Sequence, residues 1–97
     1  MIILHVTYTT KPGQREAFIN AIAEAGIDAA CRAENGNCCY DYFYAAQKED
    51  TVLLVEKWES IEALKAHMQT AHFQALGPIK EQFVQESVME KYNGESF

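Results

Sequence analysis

Basic residues are scarce in this chain: 8 Lys and Arg stand against 14 Asp and Glu, a net charge of −6. That balance argues against nucleic acid or an anionic membrane as partner, because phosphate recognition needs clustered cations. Long apolar runs are missing too, and nothing approaches the length of a membrane span. The opening Met1-Ile2-Ile3-Leu4 carries no basic segment and is soon interrupted by His5, Thr7 and Thr9, so no secretory signal is expected. Cysteine occurs as Cys31, Cys38 and Cys39, an odd count with two adjacent members and no CxxC pair. This is neither a disulfide framework nor zinc-finger spacing. The thiols read as reduced, small, buried hydrophobes of a cytoplasmic protein. Glycine-rich phosphate loops, nucleotide fingerprints and Ser or Cys nucleophile motifs are absent as well.

What remains is a chain of 97 residues, 48% hydrophobic, enough for one small globular domain over residues 1–97. Ile2 to Thr10 alternates as a strand and stops at Lys11-Pro12-Gly13. From Gln14 to Glu34 the apolar period is helical, with Phe18, Ile22, Ala25 and Ala29 in one stripe and a stop at Asn35-Gly36. Gly26 interrupts that helix as a close contact or a kink. Asn37 to Ala46 and Thr51 to Glu59 read as a hairpin across the polar turn Gln47-Lys48-Glu49-Asp50. Ser60 caps a helix that buries Ile61, Leu64 and Met68 and ends near Thr70. Phe73 to Phe83 is a second helical piece, broken or bent at Gly77-Pro78, and Val84 to Tyr92 is the last strand. The order β-α-β-β-α-β is that of a ferredoxin-like α+β fold, an antiparallel sheet with helices on one face. The strands from Asn37 and from Thr51 are apolar on both faces, which predicts a homodimer packed sheet against sheet.

The rare residues crowd into Glu56 to Phe73, which holds the only Trp and two of the three His. His67 and His72 are five apart, not the three or four that puts two ligands on one helical face, and no third ligand is evident. No metal is therefore expected there. Each His reads either as a hydrogen-bonded lock on the corner or as a general base lining a pocket. Trp58 reads as core or as a pocket wall, and Tyr40, Tyr42 and Tyr44 share one side of their strand. Glu34 reads as a solvated helix end. Glu56, on a face with Val52, Leu54 and Trp58, needs a partner if it is buried.

Lys11-Pro12-Gly13, Glu34-Asn35-Gly36 with Tyr40, and Glu56-Lys57-Trp58-Glu59-Ser60 followed by Leu64, His67, His72 and Phe73 form a pattern. It resembles the antibiotic biosynthesis monooxygenase (ABM) domain family, over nearly the whole chain and most strongly over residues 56–73, and is nearest to the small bacterial quinol monooxygenase-like members. The resemblance implies a dimeric α+β barrel with one pocket per subunit and oxidation of a small phenol or quinol by O2 without metal or flavin. It implies His67 and His72 as catalytic groups, and Trp58, Tyr40, Phe73 and His5 around the substrate. The haem-degrading branch differs at three places, marked here by His5 and Val6, by His67 and by Gly77, so haem is not expected. A sugar-phosphate isomerase branch shares both His positions, with Lys57, Lys65 and Lys80 as the few phosphate partners. A ligand-binding protein without catalysis is the third reading.

Overall fold

The structure is a computed structural model that describes residues 1–97. Its elements are β1 (Ile2–Thr10), α1 (Arg15–Glu24), α2 (Ile27–Arg32), β2 (Asn37–Tyr44), β3 (Thr51–Trp58), α3 (Ile61–Met68), α4 (Ala71–Phe83) and β4 (Val84–Asn93). The strands form one sheet in the order β2-β3-β1-β4, with every neighbouring pair antiparallel. This is the expected ferredoxin-like α+β arrangement, with each helical region divided in two.

Strand alternation sorts the core. Leu4, Val6, Tyr8 and Thr10 of β1 and Val52, Leu54, Glu56 and Trp58 of β3 face the helices and are buried. Phe18, Ile22, Ile27, Cys31, Leu64 and Leu76 pack down on them from the helices. The first helical region is two helices because Gly26 takes a left-handed φ of 71°, which ends α1 and restarts the chain as α2. The expected break at Gly77-Pro78 does not occur. α4 runs through Pro78, and the carbonyl four residues back belongs to Gln74, which is exposed and open to water. No helix is long and apolar enough to cross a membrane.

Two features of the sheet matter for the site. The helices cover β2, β3 and β1 but leave β4 exposed on both faces. Its inward positions Ser87, Met89 and Lys91, paired with Tyr8, Val6 and Leu4, therefore wall an open cavity rather than a closed core. The face away from the helices carries half-buried Ile3, Leu53 and Val55, with Phe43, Val88 and Tyr92 each between 44% and 51% exposed.

The loop from α2 to β2 is held against α3 at Gly36. Its φ is 85°, the Glu59 amide donates to its carbonyl at 2.8 Å, and a Cβ there would stand 2.6 Å from the Ala63 Cβ. Gly26 has the same left-handed backbone but open space around it. Gly36→Ala is expected to cost about 2 kcal/mol or more, strain plus collision, and Gly26→Ala about 1 kcal/mol, strain alone. Urea unfolding of the two variants checks this, and equal losses would contradict it.

Candidate active site

The site is built where three chain segments meet. Ser60 begins α3 by accepting the Ala63 amide at 3.1 Å. The helix ends one turn after Leu64, placing His67 in its last turn, 2% exposed. Thr70 then caps α4, its hydroxyl accepting the Phe73 amide at 3.2 Å and donating to the His67 carbonyl at 2.8 Å. That double use fixes how α4 leaves α3, and it turns His72 back toward His67. From the other side, the loop pinned at Gly36 delivers Glu34.

Glu34 is the centre of the arrangement. One oxygen, Oε2, takes a 2.6 Å hydrogen bond from His67 Nδ1 and a 2.8 Å bond from His72 Nε2. The Glu34 side chain is only 12% exposed. A carboxylate accepts and does not donate, so each imidazole presents its N–H to Glu34. In the neutral ring of His67 the proton then sits on Nδ1, and Nε2 carries the free lone pair. The expectation of a solvated Glu34 is corrected: α2 ends early enough to aim the carboxylate inward.

The second carboxylate lies on the far side of the same ring. Glu56 Oε1 is 3.8 Å from His67 Nε2, too far for a hydrogen bond, and accepts one from the Trp58 indole at 3.0 Å. Burial pushes the Glu56 carboxyl above its ordinary range. The Trp58 N–H and His67 oppose that shift, and Glu34 adds to it. Burial also pushes the Cys31 thiol up to about 11, and raises the Tyr40 phenol far beyond its usual range. Tyr40 is thus a neutral donor and not a base.

Two adjoining cavities open beside His67. One, of about 190 Å³, is lined by Leu4, Glu56, Leu64, His67, Met68, Phe73, Met89 and Lys91. The other, of about 140 Å³, shares Glu56, His67, Phe73 and Met89 and adds Tyr40, Lys80 and Ser87 among others. A buried apolar cavity of about 150 Å³ accepts a benzene ring, so the pair suits one or two fused rings.

The expected residues fall into three groups. His67, Tyr40 and Phe73 reach the cavities. Trp58 and His72 stand behind them: Trp58 is fully buried with its ring 4.6 Å from that of His67, and His72 acts on Glu34. Trp58 is therefore a support for His67 and Glu56, not a wall. His5 lies on the opposite face of the sheet, its ring 5.2 Å from Tyr92. Among the lysines Lys80 lines a cavity and Lys57 does not, while Lys91, which was not among the expected residues, does. The spacing argument against a metal also changes. His67 and His72 are on two helices, so a separation of five lets them converge, and Cys31 and Glu34 supply donors within 4.8 Å of theirs.

The fold and this polar centre beside an apolar cavity define a small α+β domain built to hold a compact ligand. The family model for antibiotic biosynthesis monooxygenase matches residues 1–77, and the chain belongs to that family. The "Putative monooxygenase YcnE" of Bacillus subtilis is 40% identical over 74 residues, covering 76% of each chain. The "Probable quinol monooxygenase YgiN" of Escherichia coli is 29% identical over 85 residues, covering 77% of this chain and 80% of its own. Among solved structures, PA3566 from Pseudomonas aeruginosa superposes with a TM-score of 0.86 at 25% identity, over 98% of this chain and 94% of its own. An antibiotic biosynthesis monooxygenase-type protein from Deinococcus radiodurans reaches 0.87 at 19% identity, over 100% of this chain and 96% of its own, which speaks for the fold alone.

The raised Glu56 carboxyl gives a signed pH effect. The folded protein holds that proton more tightly than the unfolded chain, whose ordinary value is 4.5. The resulting stabilisation is complete below that value and is lost as pH rises through the folded one. Glu56→Gln keeps an acceptor for Trp58 and removes this loss. Its stability relative to the parent is expected to rise as pH climbs from about 4.5 toward neutrality. Urea unfolding across that range checks it, and a difference independent of pH would contradict it.

Proposed function

We propose that the chain is a cofactor-independent monooxygenase that oxidises a small aromatic quinol or phenol with O2, and that it works as a homodimer in the cytoplasm. One observation carries the reading. His67 is held by Glu34 through Nδ1 at 2.6 Å, and its ring borders both apolar cavities. The names of two relatives point the same way.

The roles follow from the geometry. A substrate hydroxyl placed in the cavity beside His67 Nε2 gives its proton to Nε2. Glu34 holds the ring in the tautomer that leaves Nε2 bare and balances the imidazolium that forms. His72, donating to the same oxygen, keeps Glu34 aimed. Lys80 and Lys91 attract the substrate anion, and Leu4, Leu64, Met68 and Phe73 exclude water from it. The electron-rich anion transfers one electron to O2, and the radical pair closes as a C–O bond to give a peroxide. His67 returns its proton to the distal oxygen, and departure of that OH as water, taking the hydrogen of the same carbon, leaves a carbonyl. One oxygen atom enters the product and the other becomes water.

O2 uptake with a panel of hydroquinones, naphthols and anthrones tests this. His67→Ala is expected to lower kcat/KM by about 10²–10⁴-fold while the far-UV spectrum is kept. His72→Ala, removing a group that only aims Glu34, should cost clearly less. No uptake with any of these, or an intact rate in His67→Ala, contradicts the reading. Lys80 and Lys91 at the cavities also favour an isomerase of a phosphorylated sugar using the same base, and such an enzyme would turn over without O2.

The homodimer rests on the outer sheet face, where Phe43, Leu53, Val55, Val88 and Tyr92 form an apolar surface that a second copy would cover. Sedimentation at micromolar concentration is expected to give a dimer, and Phe43→Glu with Val88→Glu a monomer. A monomeric parent overturns this part.

A further inference from the structure

The four donors at the site have a second capacity that acid-base chemistry does not use. Cys31 Sγ, a Glu34 carboxylate oxygen, a His67 ring nitrogen and a His72 ring nitrogen all lie within 4.8 Å of one another. They come from two tight turns. Cys31 and Glu34 are three apart at the end of α2, and His67 and His72 flank the turn between α3 and α4. Cys31 is fully buried, His67 nearly so, and His72 reaches the surface with its side chain 24% exposed, which leaves an entry path.

We propose that Cys31, Glu34, His67 and His72 form a site for one divalent cation of the zinc class, and that filling it switches the His67 base off. The donor set is one thiolate, one carboxylate and two imidazoles, chemistry that selects zinc-like ions over magnesium or calcium. The charges cancel: a dication meets one thiolate and one carboxylate, and the two imidazoles are neutral, so the filled site carries no net charge. Bonds of about 2.0–2.3 Å in a tetrahedron separate the donors by about 3.3–3.8 Å. Filling the site needs Glu34 to draw back by roughly half an ångström from His67 Nδ1 and His72 Nε2, and donors now up to 4.8 Å apart to close in by about an ångström. On binding, the Cys31 S–H bond breaks, a metal–sulfur bond forms, and the proton leaves to solvent. A metal on Nδ1 also moves the His67 proton to Nε2, and the lone pair that faced the cavity is gone. Four protein ligands leave no open position for catalysis by the ion itself. Binding stands apart from the monooxygenase reading; only the loss of turnover rests on it.

The test uses the full chain, stripped with a chelator and titrated with Co(II) and Zn(II), with Mg(II) as control. One equivalent of Co(II) is expected, with strong tetrahedral visible bands and a thiolate-to-cobalt charge-transfer band in the near ultraviolet. Zn(II) should displace it and Mg(II) should not. Cys31→Ser should lose the charge-transfer band, and His72→Ala, at a partly exposed position that tolerates truncation, should weaken binding by at least about tenfold. Weak octahedral Co(II) bands unchanged in both variants, or no saturation at micromolar metal, would overturn the site. Where the stripped protein consumes O2, saturating Zn(II) should stop it. Continued turnover at a Zn(II) level that has displaced the Co(II) bands would overturn the switch while leaving the site, and a stripped protein that binds Co(II) but consumes no O2 overturns the monooxygenase reading and the switch with it, leaving the site.

Discussion

A carboxylate taken almost wholly out of water has to be given hydrogen bonds, and at Glu34 this requirement organises the corner around it. The side chain is 12% exposed, and one oxygen receives two imidazole N–H groups. Leaving such a group unpaired costs several kcal/mol, so the two histidines are bound to it as much as it is bound to them. The rest of the corner serves that meeting. Gly36 lets the loop approach α3, Ser60 and Thr70 set where α3 and α4 begin, and Trp58 backs the His67 ring while holding Glu56.

The same constraint links structure to chemistry. Fixing Nδ1–H on Glu34 leaves Nε2 of His67 free at the edge of an apolar cavity, which is what proton abstraction needs. Because the sheet extends beyond the helices at β4, that cavity stays open beside Met89 and Lys91 instead of filling with core. A fully covered sheet would have a sounder core and nowhere to put a ligand. Glu56 completes the enclosure. Its carboxyl, raised by burial, faces His67 Nε2 without bonding to it.

The order and pairing of the strands were legible from alternation, and the cap at Ser60 from residue type and position, whereas Thr70 was read only as a helix end. Gly26 was recognised as an interruption, but a glycine in a helical pattern does not say whether the chain kinks or restarts. Only its left-handed φ settles that. Pro78 marked a break that α4 does not have, because the freed Gln74 carbonyl is exposed and water can satisfy it. His67 was recognisable as a candidate from the crowding of rare side chains near Trp58, and Tyr40 and Phe73 from the family resemblance. Glu34 was not, since a carboxylate at a helix end looks the same in sequence whether it points out or in. The convergence of the four donors was hidden for a related reason: ligand spacing rules assume one helix, and His67 and His72 occupy two. His5 was misplaced by strand parity, because its odd position puts it on the outer face, where it meets Tyr92.

The central claim is that Glu34 sets the two imidazoles in opposite tautomers. Long-range ¹H–¹⁵N correlation of the histidine rings in metal-free protein at about pH 8, above the ordinary histidine range, reads them directly. The account predicts the proton on Nδ1 of His67 and on Nε2 of His72, with both patterns lost in Glu34→Ala. A proton on Nε2 of His67 in the parent protein would contradict it.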